Sequence, residues 1–107
     1  MKRRHLAYLR IKIQSNQFEF IETYTFLKPT VMYLKNQFFI EVKYIDKNKI
    51  RFNLRSELIP EYNKEIILNL CGRNKKSFVI DNYRLCFKLT EINILRRIYC
   101  ERGNNIC

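Results

Sequence analysis

The amino-acid sequence predicts an α+β domain: a mostly antiparallel sheet with two helices packed on one face. The chain has 107 residues, and neither an internal repeat nor a linker rich in proline and glycine divides it, so we expect residues 1–107 to form a single domain. Apolar residues make up 47% of the chain, which is enough for a hydrophobic core. Apolar and polar residues alternate with period two in several segments, whereas two others carry helical signals.

The strand predictions rest on this alternation, because successive side chains of a strand point to opposite faces of a sheet. The segment at residues 46–48 predicts a tight turn between two strands, and the segment at residues 71–74 ends another strand. The apolar members of the predicted strands are Leu9, Ile11 and Ile13; Ile40, Val42 and Tyr44; Ile50, Phe52 and Leu54; Ile66, Leu68 and Leu70; and Tyr83, Leu85, Phe87 and Leu89.

Residues 16–35 are predicted to form the first helix. Ser15 or Asn16 provides an N-cap, and two glutamates follow near the start, where the helix dipole favours anions. Pro29 would kink or restart this helix, and the alternation over residues 18–20 also permits a strand. The residues spaced for the helical face are Ile21, Tyr24 and Leu27.

Residues 91–101 are predicted to form the second helix. Thr90 is a suitable N-cap, Glu91 lies in the first turn, and arginines lie near the end. Gly103 follows as a stop signal. The residues spaced for one face are Ile92, Leu95, Ile98 and Tyr99.

The charge of the chain indicates what it binds. The formal net charge is +11 at pH 7 and the isoelectric point is about 9.8, an excess that repels itself in a compact fold unless a polyanion neutralises it. Nucleic acid is the usual polyanion and an anionic membrane is the second choice. A membrane span needs about 20 mostly apolar residues, and charged residues interrupt every aliphatic stretch here, so no membrane partner is expected.

The basic residues that we expect to contact nucleic acid are clustered in the sequence. Arginine is as frequent as lysine in these clusters, which suits bidentate contact with phosphate. They fall at the N-terminus and first strand, on one face of the strand at 49–56, and on a loop after residue 72: Lys2, Arg3, Arg4, Arg10, Lys12; Lys49, Arg51, Arg55; and Arg73, Lys75, Lys76.

The aromatic residues divide by their strand phase. Phe52, Tyr83 and Phe87 lie on the apolar phase and are expected in the core. Tyr8 and Phe39 lie on the opposite phase, so they are the better candidates for stacking on bases.

Cofactors and catalysis find little support in the sequence. The cysteines at 71, 86, 100 and 107 lack the spacing of a metal-binding knuckle. The simplest interpretation is that they are free thiols, so no cofactor is predicted. No glycine-rich phosphate loop and no catalytic-triad order is present, and neither an enzyme nor a small-molecule substrate is expected. The enzyme alternative is a small ribonuclease in which His5 forms an acid–base pair with Glu19 or Glu22.

Three short motifs resemble the family of small-subunit ribosomal protein number ten, particularly its mitochondrial forms. The basic strand Leu9-Arg10-Ile11-Lys12-Ile13-Gln14-Ser15 resembles the family's opening strand. The segment Lys49-Ile50-Arg51-Phe52-Asn53-Leu54-Arg55-Ser56 resembles an aromatic strand that ends in Leu-Arg-Ser before a long loop. Asn63-Lys64-Glu65 and the strand at 66–70 are similar to the return strand, whereas Glu57-Leu58 stands where the family has Pro-His.

This resemblance implies a ferredoxin-like sandwich in the head of the small ribosomal subunit. It also implies an extended hairpin from Arg55 to Glu65 that contacts ribosomal RNA and neighbouring ribosomal proteins. The RNA-facing positions that it implies are Arg10, Lys12, Arg51, Arg55 and Ser56. The heavy use of Ile, Lys, Asn, Tyr and Phe, with two glycines, follows AT-rich codons, so we expect a mitochondrial gene or another AT-rich genetic compartment. A viral or plasmid-encoded single-strand-binding accessory protein is the alternative.

Overall fold

The computed structural model describes residues 3–35 and 37–96, and within these ranges the chain is built from β-strands and turns without a helix. The predicted α+β class, with two helices on one face of a ferredoxin-like sandwich, is therefore wrong. The strands are β1 (Arg3–Ser15), β2 (Phe18–Phe26), β3 (Thr30–Tyr33), β4 (Phe38–Ile45), β5 (Lys49–Ser56), β6 (Asn63–Asn69), β7 (Lys75–Ile80) and β8 (Tyr83–Arg96).

The strands form two antiparallel sheets of four. Sheet A has the order β2-β1-β8-β7, and sheet B has the order β3-β4-β5-β6. Strands that are consecutive in sequence pair with each other, except where the chain passes from one sheet to the other between β2 and β3 and between β6 and β7. The first and last strands, β1 and β8, pair along most of their length at the centre of sheet A.

The hydrophobic core lies between the two sheets, and it is filled by the apolar phase of each strand. The ring of Phe52 in β5 meets that of Phe87 in β8 edge-on, with centroids 5.2 Å apart. Phe38 in β4 meets Tyr83 in the same manner at 5.4 Å. Offset and edge-to-face arrangements suit the charge distribution of aromatic rings, so these pairs hold the sheets in a defined position. Fully buried neighbours include Leu9, Ile11, Ile13, Ile40, Ile50, Leu54, Ile66, Leu68 and Leu85.

The predicted helix at 16–35 is replaced by β2, a bend at 27–29 and β3. Asn16 and Gln17 form the two-residue turn between β1 and β2 instead of capping a helix. The segment that follows is rich in aromatic and β-branched residues, which favour strands, and β1 offers it a complete row of hydrogen-bonding partners. Pro29 lies in the bend, outside both strands.

The predicted helix at 91–101 is a strand as far as Arg96, and residues 97–101 lie outside the described residues. Thr90, the expected N-cap, is instead the extra residue of a β-bulge, where Tyr8 pairs with Glu91 and Leu9 with Leu89. The Thr90 hydroxyl donates a hydrogen bond to the Tyr8 carbonyl at 3.2 Å. The long partner strand β1 decides the conformation here, because tertiary pairing overrides local helical propensity.

The turn between β4 and β5 is at the predicted place, residues 46–48. The Asp46 carboxylate accepts hydrogen bonds from the backbone N–H groups of Asn48 and Lys49 at 2.9 and 3.0 Å. Partial burial acts to raise the pKa of Asp46, but these bonds and one from the Tyr44 hydroxyl outweigh it and hold the pKa below its usual value. The ionised carboxylate is therefore part of the turn.

The connection from β5 to β6 is a closed loop of residues 57–62, shorter than the extended hairpin that the family resemblance implied. Ser56 is 4% exposed, and its hydroxyl donates a hydrogen bond to the Gln37 side chain and accepts one from the N–H of Ile59. The N–H of Glu57 bonds to the Gln37 carbonyl at 2.8 Å. These bonds fasten the loop to the start of β4.

A lysine covers an aromatic ring at each open side of the sandwich, where the two sheets part. Lys35 lies with its ammonium 5.5 Å from the ring centroid of Phe20, at the β2–β3 side. Lys64 lies 5.9 Å from the ring of Phe78, at the β6–β7 side. Such cation–π contacts shield the core while the charge stays in water.

Candidate nucleic-acid interface

The outer face of sheet A carries a group of basic side chains that we call the cationic face. The inward phase of β1 and β8 is filled by core residues, so the residues between them must point to solvent. Three strands contribute to the group, and the β-hairpins that join β1 to β2 and β7 to β8 hold these strands in register. The cationic face consists of Arg10, Lys12, Lys75, Arg84 and Lys88.

Lys88 lies at the centre of this face, between two other cations. It is the cross-strand partner of Arg10 on β1 and of Lys75 on β7. Neighbouring strands are about 4.8 Å apart, so the three residues form a row roughly 10 Å long across the sheet. Like charges directly opposite each other in a sheet are destabilising, so this row costs stability in the free protein.

Few carboxylates balance the charge of the cationic face. Among the described residues, Glu19 and Glu91 are the acidic side chains on the outer phase of sheet A. Glu19 forms an ion pair with Lys12 at 3.8 Å. No ion pair within the described residues involves Arg10, Lys75, Arg84 or Lys88. The outer face of sheet A is therefore strongly positive.

The outer face of sheet B carries basic residues too, but carboxylates lie beside them. Arg51 pairs with Glu65 at 3.3 Å across β5 and β6. Arg55 pairs with Glu41 at 3.4 Å, and Lys43 approaches the same carboxylate at 3.7 Å. Lys49 lies further along β5 on the same face. Two carboxylates lie beside these four cations, and three of the four form ion pairs, whereas one of the five cations of the cationic face does so among the described residues.

The predicted contact residues thus divide between two opposite surfaces. Arg10, Lys12 and Lys75 come together on the cationic face, whereas Lys49, Arg51 and Arg55 lie on the outer face of sheet B. A contact role for either group stays a prediction. A single rigid duplex cannot lie against both surfaces at once, because the core separates them.

The other predicted contact residues are scattered. Arg4 is exposed near the start of β1, and Arg73 is exposed in the turn before β7. Lys76 lies on the inward phase of β7, opposite Phe87, and is half-buried. Ser56 is buried with its hydroxyl engaged, so this fold gives RNA no access to it. Lys2 and the side chain of Arg3 lie outside the described residues.

Sequence reasoning missed two members of the cationic face, Arg84 and Lys88. The sequence contains the signal, because the apolar residues Tyr83, Leu85, Phe87 and Leu89 form one phase of a predicted strand. The opposite phase of that strand is Arg84, Cys86 and Lys88. In the sequence, each of these two cations stands between apolar residues and apart from other cations, so neither belongs to a local basic cluster.

Cys86 lies on the cationic face, between Lys12 on β1 and Ser77 on β7. Its Sγ is 3.2 Å from the Ser77 hydroxyl oxygen, and it is partly exposed. Cys71 is a free and exposed thiol in the turn after β6. Alkylation of these two thiols can therefore be compared, one on the cationic face and one in the turn after β6.

The predicted division of the aromatic residues matches their burial. Phe52 and Phe87 are fully buried, and Tyr83 packs against the edge of the core. Tyr8 lies on the outer phase of sheet A, next to the cationic face. Phe39 lies on the outer face of sheet B, with its ring 5.2 Å from that of Tyr33. Tyr33 is 64% exposed, so this aromatic pair is open to solvent.

The structure does not bring together the residues considered for acid–base catalysis. His5 lies on the inward phase of β1 opposite Ile94, whereas Glu22 lies opposite Ile11. Six residue steps along β1 separate these positions, which is roughly 20 Å at about 3.3 Å per step, and Glu19 is further away. Within residues 3–35 and 37–96, no three His, Cys, Asp or Glu side chains are grouped to hold a metal. No helix in these ranges is long and apolar enough to cross a membrane.

Comparisons with family models, with curated proteins and with solved structures find no match for this chain. The resemblance to small-subunit ribosomal protein number ten is untested by them. The segments that carry it do form strands, namely β1, β5 and β6, but the ferredoxin-like arrangement that it implies is absent from the described residues.

Proposed function

We propose that this protein binds nucleic acid through the cationic face, as a structural component and without catalysis. The observation that carries the proposal is the position of Lys88, directly between Arg10 and Lys75 on neighbouring strands. Threonine or glutamine would suit an exposed strand position without the repulsion that these three cations create. A polymer of phosphates bound across the row would turn this repulsion into attraction and release condensed counterions.

The shape of the face favours recognition of the phosphate backbone. A row of cations about 10 Å long on a sheet presents charge to a backbone, but it offers no element that enters a groove to read base edges. Arginine contributes bidentate contacts and lysine contributes point charges. Binding through this face should therefore depend strongly on salt and weakly on sequence.

Ribosomal RNA of the small subunit is the nucleic acid that we propose as the partner, together with neighbouring ribosomal proteins. Support comes from the resemblance of β1 and β5 to strands of ribosomal protein number ten and from the AT-rich codon preference, which favours a mitochondrial gene. Co-sedimentation with small ribosomal subunits at moderate salt is the expected result. Absence from subunits in an otherwise intact preparation contradicts the ribosomal part of the proposal and leaves the cationic face as the binding surface.

The test of the binding surface compares two triple variants that remove the same charges. R10Q/K75Q/K88Q neutralises the central row, and R51Q/K43Q/K49Q neutralises one arginine and two lysines on the outer face of sheet B. Binding to a fluorescent RNA duplex is measured by anisotropy at several salt concentrations. Each phosphate that a variant no longer neutralises should lower the slope of log K against log salt by about 0.9.

We expect the sheet A triple to reduce both affinity and salt slope strongly, and the sheet B triple to change both much less. Equal reductions in the two variants, or a larger reduction in the sheet B triple, would show that the cationic face is not the binding surface. Urea unfolding of both triples confirms that each is folded under the assay conditions.

A second measurement locates the nucleic acid directly. In a protein whose cysteines at 100 and 107 are replaced by serine, Cys86 reports on the cationic face and Cys71 on the turn after β6. Bound RNA should slow alkylation of Cys86 more than that of Cys71. Unchanged reactivity of Cys86 at saturating RNA would contradict the proposed surface.

A single-strand-binding accessory protein is the second candidate, and the exposed Tyr33–Phe39 pair favours it. Stacking on such rings contributes about 1–3 kcal/mol per base in single-strand binders. Quenching of tyrosine fluorescence by single-stranded oligonucleotides, abolished by Tyr33→Ala, is the outcome that selects this candidate. Equal quenching in wild type and Tyr33→Ala excludes this aromatic pair as the stacking surface.

A further inference from the structure

We infer that a cleft at one end of the cationic face binds a single unpaired nucleobase. The cleft has a volume of about 310 Å³ and lies between the β1–β2 turn and the β7–β8 turn. This volume is at the lower end of the range for ligand pockets. The inference rests on the proposed nucleic-acid binding, and it names the class of nucleic acid: a strand with at least one unstacked base.

Amide groups line the cleft. The side chains of Gln14, Asn16 and Asn82 all contribute to its wall, and none of these amides forms a hydrogen bond within the described residues. Each amide offers both a donor and an acceptor, which is the combination that pairs with the polar edge of a base. An ionised phosphate, in contrast, can only accept hydrogen bonds, so it cannot bond to the amide oxygens.

Tyr83 also borders the cleft. Its ring lies on the inward phase of β8 and meets Phe38 edge-on on the core side, so it anchors the turn from which Asn82 and Arg84 extend. Recognition of a base in this open cleft therefore rests on the amides, and the Arg84 guanidinium is the planar group on which the base can stack.

Arg84 connects the cleft to the cationic face. It belongs to that face by its position on β8, paired with Gln14, and it also lines the cleft. From Arg84 the other cations of β8 and β1, Lys88, Lys12 and Arg10, extend along the sheet. A strand whose phosphates follow these cations would place the base of its last nucleotide at the opening of the cleft.

The cleft depends on two tight turns. Asp81, with a φ of 56°, adopts the left-handed conformation in the β7–β8 turn, which aspartate tolerates better than most residues. Asn82 follows it and lines the cleft. Substitutions that test the cleft should therefore leave Asp81 unchanged and replace side chains whose backbone conformation is ordinary.

The experiment compares a single-stranded oligonucleotide of about ten nucleotides, within the range of known single-strand sites, with the same strand carrying abasic sites and with inorganic polyphosphate. Wild-type protein should bind the base-containing strand more tightly than the other two. In Q14A/N82A this preference should be lost through about a fivefold to hundredfold decrease in affinity for that strand, the range expected for one good bidentate contact to a base. Polyphosphate binding should stay at the wild-type level.

The matched control is Q17A/N48A, which also removes one glutamine and one asparagine from turns but leaves the cleft wall intact. Retention of the base preference in Q14A/N82A, or its equal loss in the control, overturns the inference of a base-binding cleft. Such a result leaves the proposed function standing if polyphosphate and oligonucleotide binding still require the cationic row. Failure of wild-type protein to bind any of the three polymers at low salt overturns the proposed function itself.

Discussion

Lys88 of β8 lies directly opposite Arg10 of β1, so two like charges face each other at the centre of sheet A. We predict that Lys88→Gln raises the free energy of unfolding by about 0.2–1 kcal/mol at low ionic strength, because it removes this cross-strand repulsion. The same substitution should weaken RNA binding. Urea unfolding and anisotropy on one preparation measure the two effects.

The control for this prediction is Lys43→Gln on sheet B. Lys43 lies 3.7 Å from Glu41, so removing its charge relieves no comparable repulsion and should leave stability unchanged or slightly lower. The stabilisation by Lys88→Gln should shrink as added salt screens the charges. A destabilised Lys88→Gln protein would show that this lysine contributes to folding more than to binding.

The contact between Phe52 and Phe87 joins the two sheets at the centre of the core. We predict that Phe52→Ala and Phe87→Ala each lower the free energy of unfolding by about 3–5 kcal/mol, since both rings are fully buried. The double variant should be less destabilised than the sum by about 0.5–1.5 kcal/mol, the usual coupling of an edge-to-face pair. Where the alanine variants do not fold, the same cycle with leucine provides the measurement. Strict additivity would contradict the inter-sheet contact.

Substitution of Ser56 tests whether its motif has a structural role or contacts RNA. The family resemblance implies that it faces RNA, whereas the structure buries it with its hydroxyl bonded to Gln37 and Ile59. We predict that Ser56→Ala costs about 1–3 kcal/mol of stability, because buried polar partners are left unsatisfied, while RNA affinity of the folded protein is unchanged. A variant of normal stability and reduced RNA affinity would support the implied RNA contact instead.

The lowered pKa of Asp46 predicts that the stability of the fold depends on pH. Its folded-state pKa lies below the value of about 3.9 expected in the unfolded chain. Its ionised form therefore stabilises the fold above about pH 4, and this contribution is lost as the pH falls through the folded-state pKa. Asparagine keeps an acceptor oxygen for the two N–H groups but loses the charge, so we predict that Asp46→Asn lowers the free energy of unfolding by about 0.5–1.5 kcal/mol at pH 7, roughly the difference between charge-assisted and neutral hydrogen bonds.

The difference between wild type and Asp46→Asn should disappear as the pH falls to about 2, since the wild-type carboxyl is then protonated as well. Glu57→Gln is the control for a general effect of charge, because Glu57 is exposed and forms no ion pair within the described part of the chain. A difference between wild type and Asp46→Asn that stays constant over this pH range would contradict the role of the ionised carboxylate.

Period-two alternation was sufficient to locate most of the strands. The segments around Ile11, Phe52 and Phe87 each alternate over several residues, and one face of each is buried as expected. The turn at 46–48 was also predictable, since aspartate and asparagine side chains bond to nearby backbone N–H groups. These features are local, so the sequence contains what is needed to find them.

The two helix predictions were wrong for reasons that are not local. Residues 18–26 satisfy a weak helical spacing as well as a strand alternation, and pairing with β1 decides between them. At residues 91–96, the cap and charge order fit a helix, but β1 extends far enough to pair with this segment as a strand. A hydrogen-bonding partner more than 80 positions away in sequence cannot be read from a window of ten to twenty residues.

By itself, the amino-acid sequence determined the positive charge, the alternating strands and most core residues of those strands, because each depends on composition or on near neighbours, whereas a register shift in β4 leaves Tyr44 exposed against the prediction. Only the tertiary structure decided which cations share a surface. Lys75 and Arg10 are distant in sequence, and both lie beside Lys88 because β1, β8 and β7 are adjacent in sheet A. Long-range strand order sets the electrostatic field of each face, and this order follows from the packing of the whole chain.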